Sequence, residues 1–205
     1  MAKSACDSTF GVSSGKWFME IRSPNTSDGG IGFVFGNNQT NVVLGTDLGG
    51  SGSACGYRGF RTGNINYPRN TTDGTGSYFD TWTSNTPIGV AVDLDGGNMK
   101  LYASGSVITG SSQDFTFDKG PYRLFLGKET SAAATKNVSV NFGQDASFAG
   151  AITAGTNTDQ NGYGAFNNAV PSGYLAMCTA NLAAPAAKDP SEYYQTGPEY
   201  AGNAS

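Results

Sequence analysis

The chain contains no histidine in 205 residues. That excludes a histidine-based hydrolase triad and removes the commonest nitrogen ligand for a transition metal. Charge is also scarce. Lys and Arg total 12 against 16 Asp and Glu, together 14% of the chain, for a net charge of −4. The few cations form no basic cluster, which argues against binding nucleic acid by neutralising phosphates. Three cysteines, Cys6, Cys55 and Cys178, show no C-x-x-C spacing and are odd in number. A disulfide framework is not expected, and buried free thiols are. No apolar run approaches the roughly 20 residues that span a bilayer, and the opening MAKSACDSTF lacks the apolar stretch of a secretory leader. Neither membrane insertion nor export is expected.

What the chain does have is glycine, 30 of them, with abundant Ser, Thr and Asn, beside 38% hydrophobic and 12% aromatic residues. The organising stretch is Ile88–Gly105, IGVAVDLDGGNMKLYASG. Ile88, Val90, Val92 and Leu94 share a face by alternation, Asp95-Gly96-Gly97-Asn98 turns the chain, and Met99, Leu101 and Tyr102 lead to a second turn at Ala103-Ser104-Gly105. A central β-hairpin is predicted. Lys16–Arg22 alternates as a half-buried strand, with Trp17, Met19 and Ile21 inward and Phe18, Glu20 and Arg22 on the other face. Further strands are predicted at Ile31–Gly36, at a hairpin of Gly56–Arg61 and Asn64–Tyr67 around Thr62-Gly63, between Phe115 and Phe117, at Pro121–Gly127, at Val138–Gly143 and at a closing Tyr174–Cys178. Tyr78–Trp82 reads as a strand or an aromatic loop, and Ala149–Gly164 as a polar, glycine-rich loop. Helical periodicity with caps is not found, and no segment repeats at a fixed period. Many short strands with frequent turns describe an all-β fold, an antiparallel two-sheet β-sandwich over residues 1–182 with no substantial helix. Trp17, Phe33, Phe35, Tyr57, Phe125, Phe142 and Tyr174 are its expected core.

Three stretches invite a chemical reading. Asp93 and Asp95 in DLDGGN resemble a carboxylate pair or a calcium loop, but the third oxygen ligand and the distal Glu of an EF-hand are missing, and turn chemistry accounts for them. A glycosidase needs two carboxylates about 5–10 Å apart across a cleft. No dense acidic strand supplies them; Glu20 alternates with core residues and Glu129 adjoins a loop, so no enzyme is expected. The 67–82 loop, YPRNTTDGTGSYFDTW, mixes flat rings with amides, carboxylates and one Arg. Tyr67, Arg69, Tyr78 and Trp82 are the candidate ligand-binding residues, by stacking and hydrogen bonding. The competing reading has Tyr78 and Trp82 packed inward under a solvated tip. No catalytic residue, metal or cofactor is expected.

Taken in order, Gly15-Lys16-Trp17-Phe18-Met19-Glu20, Ile31-Gly32-Phe33, Gly56-Tyr57, Ile88–Gly105, Asn141-Phe142-Gly143-Gln144 and Pro171-Ser172-Gly173-Tyr174 resemble the SPRY family, a concanavalin A-like sandwich. The resemblance covers about residues 13–182. The stretches 141–144 and 171–182 are also similar to SPRY-like modules in structural proteins of tailed bacteriophages. That resemblance implies a non-enzymatic virion module on a tail fibre, baseplate or capsid surface, assembled in the host cytoplasm. Its partners would be other virion subunits, with a homotrimer by analogy with fibres, and a host-surface glycan or protein. The alternative is a stand-alone lectin-like or peptide-binding adhesion module. Pairing of first and last strands, as in the family, would bring Cys6 towards Cys178. Residues 183–205 are expected to be a linker or arm, or the opening of a truncated next module.

Overall fold

The structure, a computed structural model, describes residues 5–24, 31–36, 54–57, 64–66, 68–69, 78–81, 85–108, 111–114, 121–128 and 137–182. Alternation and turn residues build its centre. Strands β8 (Ile88–Asp93) and β9 (Asn98–Ala103) pair antiparallel from Ile88↔Ala103 to Asp93↔Asn98, and the chain reverses through Leu94–Gly97, with Gly97 at φ 64°. Ser104 and Gly105 both take positive φ, the signature of a tight hairpin turn, and carry the chain into β10 (Ser106–Val107). The remaining strands among the described residues are β1 (Ala5–Asp7), β2 (Lys16–Arg22), β3 (Ile31–Gly36), β4 (Ala54–Tyr57), β5 (Asn64–Asn66), β6 (Pro68–Arg69), β7 (Tyr78–Thr81), β11 (Gln113–Asp114), β12 (Arg123–Lys128), β13 (Ser139–Asn141) and β14 (Leu175–Ala176). The only helical element among them is a 3-10 turn at Thr179–Asn181.

One sheet runs β1-β12-β3-β4-β6; the other runs β10-β9-β8-β2-β13, with β11 also on β9 and β14 on β2; β5 and β7 form a separate ribbon. Every pairing is antiparallel except β14 on β2. Trp17, Met19, Ile21, Ile88, Val90, Val92, Met99 and Leu101 of the second sheet share one core with Phe35 and Leu124 of the first. This is the predicted antiparallel sandwich, with β8 central as the hairpin implied. Trp17 and Phe35 lie in that core, Phe142 packs against it, and Phe125 and Tyr174 are buried. The side chains of Phe33 and Tyr57 lie outside the described residues, as do 115–120 and 183–205.

Of the predicted 56–67 hairpin, Gly56 and Tyr57 pair antiparallel with Arg69 and Pro68 of β6, the register of a reversal centred on Thr62-Gly63, while β4 also pairs with β3 and β5 with β7; residues 58–63 and 67 lie outside the described residues. Two expectations are corrected. The first and last strands do not meet, because β1 pairs with β12 in one sheet and β14 with β2 in the other; the Cys178 thiol is free. And β2 is not half-buried. From Trp17 to Arg22 every residue is buried, on both faces.

The second face of β2 is covered by residues 143–178, a strap with little regular structure. Phe166, fully buried, meets Phe18 edge-on at 5.2 Å, and Ala91, Tyr174 and Ala176 complete a second core with partly buried Tyr102 and Val170. The Asn157↔Phe166 bridge and the bond from Met177 N–H to Phe18 O fix the strap in place. Glycine is required where it lies closest: a Cβ on Gly155 would fall 2.3 Å from the Phe166 carbonyl oxygen.

Candidate functional site

The four predicted ligand-binding residues are only partly in view. Tyr67 and Trp82 lie outside the described residues. Arg69 pairs with Gly56 on β6, at the edge of the five-stranded sheet, and Tyr78 pairs with Asn66 in the β5–β7 ribbon. Asn66 faces Tyr78 and stands three residues before Arg69, so the backbone positions of Arg69 and Tyr78 lie within about 15 Å of each other. Their side chains lie outside the described residues.

The described acids are held by their own chain. Glu20 on the outer face of β2 is fully buried. Its Oε1 accepts from the backbone N–H of Asn168 at 2.6 Å, from Asn168 Nδ2 at 2.8 Å and from the N–H of Asn167 at 3.0 Å; Oε2 accepts from Asn167 N–H at 3.1 Å and from Asn141 Nδ2 at 3.3 Å. Asn168 continues outward to Pro87 O and accepts from Gly105 N–H. A carboxylate so enclosed cannot reach a substrate proton; it joins the strap to β2, β8 and the 104–105 turn.

At the start of β2, Lys16 Nζ lies 2.7 Å from Asp93 Oδ2, and Gly96 N–H donates to Asp93 Oδ1 at 2.7 Å. Burial alone would raise the Asp93 carboxyl. The bonds from Lys16 and Gly96 and the lysine's charge outweigh it and hold the group below its ordinary 3.8. Asp95 accepts from Gly15 N–H at 3.0 Å, and Leu94 N–H donates to Gly15 O. Asp93 thus closes the turn of DLDGGN and Asp95 ties that turn to Gly15, and no cluster of three or more metal-ligating side chains occurs among the described residues. Lys16 also lies 5.8 Å over the Tyr174 ring, whose hydroxyl is pushed up to about 12 by burial first, then by Asp93 and Tyr102.

Within the strap, Asp159 accepts from Asn161 N–H and Tyr163 N–H, each at 2.9 Å, from Ala176 N–H at 2.8 Å and from Asn181 Nδ2 at 2.6 Å. Burial pushes its carboxyl up, and these donors, Ala176 first, bring it below the ordinary value. Asp145 accepts from Ser147 Oγ and N–H and from Ala149 N–H, and these bonds likewise lower it. They hold Phe148, Ala149 and Gly150 at φ 51°, 60° and 78°, a left-handed run that two non-glycine residues would otherwise avoid. Sequence reasoning missed this layer. Asp159 and Asn168 sit in segments whose composition reads as solvated loop, Asn141 sits in a predicted strand with no sign of what it bonds, and nothing local marks the three as buried.

No model of a known protein family matches the sequence, and no curated protein does. Among solved structures the chain is similar to the TRIM65 PSpry domain, at 11% identity and a TM-score of 0.42, over 66% of this chain and 69% of that one. It is also similar to the SPRY domain of human HERC1, at 12% and 0.44, over 67% and 81%. A sialidase matches at 8% and 0.42, over 63% of this chain and 11% of its own length.

Proposed function

We propose that the chain is a non-enzymatic interaction module of a tailed-phage virion, carried on a tail fibre, a baseplate or the capsid surface. It presents loops of a rigid sandwich to a host-surface glycan or protein, or to a neighbouring subunit. The observation that favours a scaffold over a catalyst is the state of its acids: Glu20, Asp93, Asp145 and Asp159 each accept several hydrogen bonds from their own chain. The virion part of the reading is supported by the resemblance of 141–144 and 171–182 to phage modules, stretches that here flank and close the strap.

Two measurements test this reading. The chain is expected to sediment with purified virions and to be labelled on them by antibody; a chain found only with free soluble protein contradicts the assignment. Isolated, it is expected to run as a homotrimer, about three times 21.2 kDa. The second reading is a stand-alone lectin-like or peptide-binding adhesion module, for which the pairings of β6 and β7 leave Arg69 and Tyr78 within about 15 Å of each other. A monomer that binds a defined glycan, and loses that binding in Tyr67→Ala or Arg69→Ala at unchanged melting temperature, would establish it instead.

A further inference from the structure

Arg22 ends β2 on the outer face and is 7% exposed. A guanidinium has five N–H donors and remains charged. Here Nη2 donates to Asn85 Oδ1, while Nε is buried without a partner. The one ion pair among the described residues joins Lys16 to Asp93 at the other end of the strand, about 20 Å away. Glu20, two positions back on the same face, is fully engaged by Asn141, Asn167 and Asn168. Among the described residues this buried cation has no counter-charge and one donor has no partner, which is costly, and Arg is suited to bidentate recognition of planar oxyanions.

The surroundings are ordered around it. Asn85 stands at φ 68°, and its N–H donates to Ser23 O; Ser23 Oγ donates to Asn137 O. Asn85 and Asn137 are exposed, so the site borders solvent. We propose that Arg22 forms the floor of an oxyanion subsite at this end of the sandwich, taking a carboxylate or sulfate side-on through Nε–H and an Nη–H, with Asn85 and Asn137 at the mouth. The ligand chemistry is shared by a carboxylated saccharide and a free inorganic oxyanion. The subsite does not depend on the virion reading.

The test is thermal melting of the full chain at constant ionic strength, with chloride replaced by sulfate or by glucuronate and with glucose as the neutral control. A saturable rise of about 3–6 °C is expected at ten times the dissociation constant. Half-effect at a lower concentration of glucuronate identifies a saccharide-borne carboxylate; half-effect at a lower concentration of sulfate identifies a free oxyanion. Arg22→Met is expected to melt no lower than the parent in chloride, because it removes an uncompensated buried charge, and to lose the anion response. Nitrogen-15 NMR of the parent gives a readout independent of any variant: the Arg22 Nε–H signal shifts on titration. A rise that persists in Arg22→Met, no saturable rise in the parent, or an unmoved Nε–H signal would overturn the proposal.

Discussion

Two positions on neighbouring strands show how closely the outer face of the seven-stranded sheet is fitted. Gly89 pairs with Glu20 on one side and Tyr102 on the other, and a Cβ there would lie 2.6 Å from Phe18 Cζ. Phe18 is wedged between Phe166 and Tyr102 and has nowhere to move. Gly89→Ala is therefore expected to cost about 1–3 kcal/mol in urea denaturation; an unchanged midpoint would mean that the ring can give way. Glu20→Gln keeps the volume but turns one of two acceptor oxygens into a donor facing Asn141 and Asn167. A loss of about 2–3 kcal/mol is expected, the scale of hydrogen bonds to a charged group. The same variant bears on function, since any glycan turnover that it abolished would return Glu20 to a catalytic role.

The strap over β2 and β8 is an element held by side chains more than by strand ladders. Its parallel contact with β2 is two residues long, and three acids, Glu20, Asp145 and Asp159, supply acceptors that a longer ladder would otherwise provide. Asp93, Asp145 and Asp159 all sit below their ordinary 3.8 when folded. The unfolded chain then binds more protons, so their contribution is present above that value and lost as the pH falls through the lower folded values. Melting temperature is expected to drop steeply below about pH 4, and Asp159→Asn is expected to make that drop shallower while lowering the plateau. Alkali acts through Tyr174. Its folded hydroxyl ionises near 12 rather than at 10, so the unfolded state gains charge first and stability declines between those values. Tyr174→Phe should reduce that decline in an alkaline melting series.

Taken as a whole, the described part of the molecule is three layers: one sheet, a second sheet, and a strap lying on the second sheet's far side. The strap encloses Phe18 and Glu20, so it is expected to behave as part of the core. In hydrogen exchange, the amides of Ala165, Phe166 and Ala176 should be protected to nearly the degree of β8, and limited proteolysis should spare 143–178; rapid exchange there would show a cover that opens independently. A non-reducing peptide map is expected to find no Cys6–Cys178 link, in keeping with the separate sheets that hold β1 and β14.

Local pattern determined a good part of this. Period-two alternation marked β2, β8, β9 and β13 because one face of each meets the facing sheet, and glycine with Asp or Asn marked the turns because positive φ is cheap there. DLDGGN was legible as a turn from its chemistry alone. The tertiary structure decided whatever depended on residues distant in sequence. Glu20 and Arg22 read as a solvated face because charge is normally excluded from a core, and only the donors of Asn141, Asn167 and Asn168, some 120–150 positions later, make the burial of Glu20 tolerable. A local turn signal likewise says where a chain can reverse, while the tertiary structure decided that β4 also pairs with β3 and β5 with β7.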